Sequence, residues 1–195
     1  MEEHLKNLEN IIGGMGEALE GNCVYIDRTL NRSDDLKNKQ LNLQHIAKGK
    51  KRICEIGFNG GHSMLMFLYD NPSVEEVLIF DICEHKYLKP SLEYLKSKFQ
   101  NVSFTLIEGD TRETLPDYFI KARKPFELIH CDGGHQKDVV KNDMKYCRML
   151  GEVIIVDDTN HGPINDEANN LLNDGWIELK ILQTKLYEHR MFIVG

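Results

Sequence analysis

Two short stretches of the sequence bring together side chains that could bind a cation and move a proton. Asp132-Gly133-Gly134-His135 follows one apolar run, and Asp157-Asp158 follows another. If both runs are parallel strands of one sheet, their carboxyl ends meet at the edge where ligands of such sheets bind. Three carboxylates then converge, and their repulsion would raise the pKa of at least one of them.

A hard divalent cation would relieve this repulsion, because Mg²⁺ prefers oxygen ligands and keeps waters that a substrate hydroxyl can replace. A metal-bound hydroxyl is more acidic than a free one. His135, three residues after Asp132, could then accept its proton, since an imidazole titrates near neutral pH. These residues therefore predict a magnesium site at Asp132, Asp157 and Asp158, with His135 as the general base.

The elements that must position these residues alternate between strands and helices, the pattern of a largely parallel α/β sheet. The sequence predicts strands at 52–56, 76–80, 103–108, 126–131 and 152–156. Helices are predicted between and after them, at 61–69, 87–99, 112–122 and 137–150. A further helix is predicted to begin near Pro163, which suits a first helical turn, and to end before Gly175.

The two ends of the chain depart from this alternation. Strand-like runs at 176–183 and 186–194 are separated by only two residues, which permits a hairpin but no crossover helix. The first 50 residues contain two amphipathic segments, 3–19 and 35–47, which could cover the site as a lid or cap the sheet. The prediction is an N-terminal helical segment at 1–50, followed by one domain at 51–195.

The turn after the first predicted strand, at 55–63, is suited to approach a ligand closely. Its glycines allow a tight turn that carries backbone N–H groups towards a helix N-terminus. Asn59 stands where the dinucleotide pattern G-x-G-x-x-G needs a glycine, which weakens the case for an NAD-dependent enzyme. The second strand stops at Asp81, whose carboxylate can accept both hydroxyls of a ribose.

This turn resembles the E-x-G-x-x-x-G-x-S motif of class I methyltransferases, which use S-adenosylmethionine. The residues on the pattern are Glu55, Gly57, Gly61 and Ser63. The resemblance implies a Rossmann-like fold: a mostly parallel sheet of seven strands, finished by an antiparallel C-terminal hairpin, with helices on both faces. It also implies that this turn holds the amino-acid part of the cofactor.

The same resemblance implies where the rest of the cofactor lies. Asp81 would bind its ribose, and Asp110 and Thr111 its adenine, although a helix N-cap explains those two residues equally well. The other residues assigned to the cofactor are Phe58, Asn59, Ile82 and Asp132.

The D-G-x-H and D-D sequences resemble those of metal-dependent O-methyltransferases, nearest to the sugar O-methyltransferases of macrolide pathways and more distantly to the catechol and caffeoyl-CoA enzymes. The resemblance implies that Asp132, Asp157 and Asp158 hold Mg²⁺ while His135 is the base. The catechol enzymes carry lysine in place of this histidine, so a catechol acceptor is disfavoured. The predicted function is divalent-metal-assisted O-methylation of a hydroxylated small molecule. The alternatives are a metal-independent methyltransferase and a non-catalytic S-adenosylmethionine-binding protein.

Composition limits the partners of the chain. Its 195 residues and net charge of −7 allow one well-buried core but no broad basic field, which disfavours nucleic acid. No apolar run approaches the ~20 residues of a membrane span, and no signal peptide is visible. The five cysteines form no C-x-x-C pair. We therefore expect a cytoplasmic protein with reduced thiols that acts on a small molecule, whose open site a homodimer partner could complete.

Overall fold

Two helices precede the main sheet in the computed structural model, which describes residues 1–20, 23–26, 28–122 and 124–195. Helix α1 spans Glu2–Gly14 and α2 spans Lys37–Ala47. Between them, the short strands β1 (Tyr25–Ile26) and β2 (Asn31–Arg32) pair antiparallel. Helix α1 ends among glycines, before the end of the amphipathic segment predicted at 3–19, and Gly16 has a left-handed φ of +65° that no helix continues.

The main sheet has seven strands. In chain order they are β3 (Arg52–Ile56), β4 (Glu76–Asp81), β5 (Ser103–Glu108), β6 (Leu128–Cys131), β7 (Val153–Val156), β8 (Ile177–Glu178) and β9 (Arg190–Ile193). Their spatial order is β5-β4-β3-β6-β7-β9-β8. Strands β3 to β7 pair in parallel, whereas β9 is antiparallel to both β7 and β8. The predicted fold class is therefore confirmed, and the winding direction reverses between β3 and β6.

Helices cover both faces of this sheet. After β3 they are α3 (His62–Leu68), α4 (Leu88–Lys98), α5 (Thr111–Lys121), α6 (Lys137–Leu150) and α7 (Gly162–Asn173). Alternate strand residues point to opposite faces, so that Ile53 packs in one hydrophobic cluster with α1 to α4 and Cys54 in another with α5 to α7. None of the described helices is both long and apolar enough to cross a membrane.

The C-terminal hairpin is shorter than its sequence pattern predicts. Runs at 176–183 and 186–194 were expected to pair across two residues, but only β8 and β9 pair, with a connection at 179–189. Part of this connection forms hydrogen bonds with side chains of α2 instead. The Asn42 amide donates to the Leu182 carbonyl at 2.8 Å and accepts from the Leu182 N–H at 2.9 Å, and Asn38 donates to the Gln183 carbonyl at 2.8 Å. Helix α2 is thereby tied to the end of the sheet.

Candidate active site

A cavity of about 420 Å³ opens at the carboxyl ends of β3, β4, β5 and β6, where the strand order reverses. Seven of the residues predicted to bind the cofactor line it: Gly57, Asn59, Asp81, Ile82, Asp110, Thr111 and Asp132. Phe58 and Ser63 line a much smaller adjoining space of about 10 Å³, which Cys23, Asp132 and Asp157 also border. Glu55 lies fully buried in β3 below the turn.

Gly57 allows the turn after β3 to pass close to the loop after β6. Its φ is +85°, and a Cβ on this residue would lie 1.9 Å from the carbonyl oxygen of Asp132. Gly61 is the N-cap of α3 with a φ of +78°, and a Cβ there would meet the Phe58 ring at 2.7 Å. Both backbone conformations suit glycine and strain other residues.

Asp81 is held rigidly at the mouth of the cavity. Its Oδ2 accepts the backbone N–H of Phe58 at 2.7 Å and that of Asn59 at 3.2 Å, while Oδ1 accepts the N–H of Cys83 at 2.7 Å. The Tyr87 hydroxyl donates to the Asn59 side chain at 2.8 Å. Each carboxylate oxygen can accept more than one hydrogen bond, so Asp81 can still bind a hydroxyl in the cavity.

Asp110 has the helix-capping role that the sequence allowed, and it also lines the cavity. Its side chain accepts the N–H of Arg112 at 2.8 Å as the N-cap of α5. Hydrogen bonds from the Arg112 side chain and backbone lower the pKa of Asp110 to about 2. The carbonyl of Thr111 accepts from Asn142 at 2.9 Å, which joins α5 to α6.

A chain of buried hydrogen bonds runs below the cavity, from the glycine turn to α2. Ser63 donates to Glu55 Oε1, which lies 2.9 Å from His130 Nδ1. His130 Nε2 is 3.1 Å from Asp157 Oδ2, and Lys39 donates to Asp157 Oδ1 at 2.6 Å. The chain therefore connects three parts of the fold that are distant in sequence.

The pKa directions along this chain indicate alternating charges. Burial would lower the pKa of His130, but hydrogen bonds to Asp157 and Glu55 outweigh it and raise that pKa to about 10. Burial would also lower the pKa of Lys39, but the charge of Asp157 raises it. Burial would raise the pKa of Asp157, but the interactions with Lys39 and His130 outweigh burial and lower that pKa. Cationic Lys39 and His130 therefore face an ionised Asp157.

The pKa values of Asp132 and Glu55 are raised, in contrast to that of Asp157. Loss of solvent, followed by the nearby charge of Asp157, raises the pKa of Asp132 well above its ordinary value. Burial also raises the pKa of Glu55, against the effect of its hydrogen bond to His130. Both groups therefore hold a proton more readily than an exposed carboxyl does.

The predicted base, His135, lies in a second and more exposed cluster. Its Nε2 is 3.0 Å from Asp158 Oδ2, and its ring centroid is 4.5 Å from that of His161. The hydrogen bond to Asp158 raises the pKa of His135, although partial burial opposes it. Asp158 has a left-handed φ of +52°, and its N–H donates to Asp157 Oδ1 at 2.8 Å. This turn separates the two neighbouring carboxylates.

The three aspartates predicted to bind a metal are therefore divided. Among the described residues, possible ligand atoms lie within 4.8 Å of one another in two groups, one of His130, Asp132 and Asp157, and the other of His135, Asp158 and His161. Both Asp157 oxygens already accept hydrogen bonds, and a buried ammonium is on one of them. A divalent ion bound to Asp157 would have to displace Lys39 or lie beside its charge, so the predicted set fits such an ion poorly.

Sequence reasoning missed the roles of Lys39 and His130. Lys39 shares a buried face with Leu43 and Ala47 of α2 and with Leu36 just before the helix, at spacings of three and four. A lysine on an apolar helix face is rarely buried without a partner, so this spacing could have predicted a buried ion pair. His130 is a polar residue inside an apolar strand, which is the corresponding signal for its partner.

The sequence matches the profile of a methyltransferase domain over residues 54–159, more than half of the chain. No curated protein matches it. Among solved structures, the O-methyltransferase of Bacillus cereus in complex with S-adenosylhomocysteine is 17% identical, with a TM-score of 0.68 over 99% of this chain and 91% of that chain.

Two other solved structures are similar over nearly the whole chain. TomG of Streptomyces achromogenes, an O-methyltransferase of tomaymycin synthesis solved with S-adenosylmethionine, is 15% identical, with a TM-score of 0.68 over 99% of this chain and 90% of that chain. CalS11, a TDP-rhamnose 3'-O-methyltransferase of calicheamicin biosynthesis, is 16% identical, with a TM-score of 0.65 over 100% of this chain and 94% of that chain. At these identities the similarity establishes the shared fold.

Proposed function

Because the chain belongs to the methyltransferase domain family, whose profile matches residues 54–159, we propose that it transfers the methyl group of S-adenosylmethionine to a hydroxyl of a small molecule. The observation that carries the proposal is the 420 Å³ cavity at the switch point of the sheet, because its lining gathers seven residues predicted to bind this cofactor.

The residues around the cavity suit the parts of the cofactor. Asp81, Asp110 and Thr111 all line the cavity; we assign the carboxylate oxygens of Asp81 to the ribose hydroxyls and the other two residues to the adenine. The turn at Gly57 lies so close to the Asp132 carbonyl that it leaves no room for a side chain, and we assign the amino-acid part of the cofactor to this turn. When bound, the cofactor supplies an electrophilic methyl group on a positively charged sulfur.

The cluster of His135, Asp158 and His161 suits the acceptor. Its side chains are polar and partly exposed, and His135 is held by Asp158 through one ring nitrogen. His135 would take the proton of the acceptor hydroxyl as the cofactor supplies its methyl group to that oxygen. The remaining contribution of the chain is to orient the acceptor and exclude water.

A small acceptor is favoured over a polymer of nucleotides. The net charge of −7 gives no broad basic surface for a phosphate backbone. Asp157, one of the three predicted ligands of a divalent cation, is already paired with Lys39. The proposed methyl transfer is therefore independent of a metal.

Calorimetric titration with S-adenosylmethionine and S-adenosylhomocysteine tests the cofactor assignment, with Asp81→Asn as the variant expected to weaken binding and Asp117→Asn, on the exposed side of α5, as its control. Mass-spectrometric assays with hydroxylated acceptors, in EDTA and in Mg²⁺, then test transfer. Cofactor binding without any methylated product from a broad acceptor panel would favour the non-catalytic alternative. No binding of either compound would refute the proposal.

A further inference from the structure

Lys39 extends from α2 into the carboxylate cluster at the ends of β6 and β7. Its ammonium donates to Asp157 Oδ1 at 2.6 Å, and its side chain is only 4% exposed. The ammonium also lies 5.8 Å from the centroid of the Tyr187 ring. A lysine buried this completely is stable only because it is paired.

The backbone around Lys39 is fixed on both sides. Asn38 donates to the Gln183 carbonyl, and Asn42 makes two hydrogen bonds to the backbone of Leu182. These contacts hold the first turns of α2 against the connection between β8 and β9. The position of the Lys39 ammonium is therefore built into the fold.

A series of polar contacts connects Lys39 to the predicted base, His135. Asp157 Oδ1 accepts from the Lys39 ammonium and also from the Asp158 N–H at 2.8 Å. Asp158 in turn contacts His135 at 3.0 Å through its side chain. Lys39 orients Asp157, which fixes the turn that presents Asp158 to His135.

We propose that the Lys39 ammonium is the cation that balances the charge of this carboxylate cluster, and that Lys39 is a positioning residue for His135. Its ammonium occupies the place at Asp157 where the sequence pattern predicted a divalent ion. Removing the ammonium should free Asp157 Oδ1, close to Asp132, for an added cation, while His130 still contacts Asp157 Oδ2. The role of Lys39 in turnover rests on the proposed function, whereas its occupancy of the cluster does not.

Binding of Mn²⁺ alone to the full chain, followed by electron paramagnetic resonance, tests this occupancy. Lys39→Gln should bind Mn²⁺ at least about tenfold more tightly than the unsubstituted protein, because oxygen ligands freed from an ammonium suit a hard cation. Mg²⁺ should compete for that site, and the double variant Lys39→Gln with Asp157→Asn should lose it. Lys39→Arg, which keeps the charge, should gain none.

Two results would overturn the assignment. One is tight Mn²⁺ binding by the unsubstituted protein that Asp157→Asn abolishes. The other is a folded Lys39→Gln protein with no gain in Mn²⁺ affinity. If Lys39→Gln unfolds, recovery of its thermal transition by Mn²⁺ supports the proposal, and failure to recover with Mn²⁺ counts against it.

Turnover gives a readout that a purely structural role of Lys39 would not change. Lys39→Gln should lower kcat by up to about 100-fold, because a small misplacement of His135 can cost that much, with KM for S-adenosylmethionine nearly unchanged. Lys39→Arg should retain most of kcat. A gain of Mn²⁺ binding in a protein that binds no S-adenosylmethionine would refute the proposed function and leave the cation assignment standing.

Discussion

Lys39 and Asp157 form a buried ion pair, with 2.6 Å between Nζ and Oδ1 and side chains that are 4% and 2% exposed. The pair joins a helix that precedes the main sheet to the end of its fifth strand. A buried pair adds little stability compared with apolar residues of the same volume, but the loss of one partner leaves the other charged and unpaired. The main effect of this pair is therefore to organise the site, and its net contribution to the stability of the fold is small.

Replacing Lys39 by Met should lower the free energy of unfolding by up to roughly 3–5 kcal/mol, because the buried Asp157 loses one of its two cationic partners and keeps only His130. Urea denaturation at neutral pH measures this loss. Lys185→Met is the matched control, since Lys185 forms an ion pair with Asp35 in which both side chains are well exposed, and no measurable loss is expected. Equal stability of the two variants would contradict the prediction.

The stability of the protein should fall as the pH rises from about neutral into the alkaline range. The pKa of His130 is raised from 6.5 to about 10 in the folded protein, so its contribution is complete below pH 6.5 and is lost as the pH approaches about 10. His130→Gln should flatten this part of the curve of unfolding free energy against pH. His45→Gln, on an exposed part of α2, should leave the slope unchanged.

The pH at which the methyl-transfer rate falls on acidification should depend on Asp158. A general base acts only when deprotonated, and the hydrogen bond that His135 donates to Asp158 raises the pKa of His135 above its ordinary value. Turnover should therefore fall as the pH drops through this raised pKa, and Asp158→Asn should move the midpoint to lower pH. His135→Gln should lose about 10²–10⁴-fold in kcat while still binding the cofactor. An unchanged midpoint in Asp158→Asn would count against the assigned base.

Gly57→Ala should impair both folding and cofactor binding. The left-handed φ of +85° alone costs of the order of 1–3 kcal/mol for another residue, and the added Cβ would lie 1.9 Å from the Asp132 carbonyl oxygen. Chemical denaturation and calorimetry with S-adenosylmethionine measure the two effects. Gly14→Ala adds a Cβ with no atom within 4 Å and should be neutral in both measurements.

The sequence predicts the parallel sheet well, because buried strands appear as short apolar runs and parallel strands present their carboxyl ends at one edge. This reasoning brings Asp81, Asp110 and Asp132 to one cavity. It extends the C-terminal strands too far, since an apolar pattern cannot reveal that the backbone of Leu182 bonds to the side chain of Asn42.

The carboxylate cluster is harder to predict. Asp157 and Asp158 are adjacent in sequence, which suggests a shared ligand, but the left-handed turn at Asp158 directs one inward and the other towards His135. The partner of Asp157 lies 118 positions away on α2, and local sequence patterns carry no information about such a pairing. The buried position of Lys39 on an amphipathic helix is the available sign that a partner exists.

The hydrogen bonds between Asn42 and Leu182 join residues that are 140 positions apart. Contacts of such long sequence separation form late, because the intervening chain must first be ordered. The sheet can therefore acquire its secondary structure before α2 docks. During refolding, catalytic competence should then return after the far-ultraviolet circular dichroism signal, at the rate at which α2 is captured by the end of the sheet.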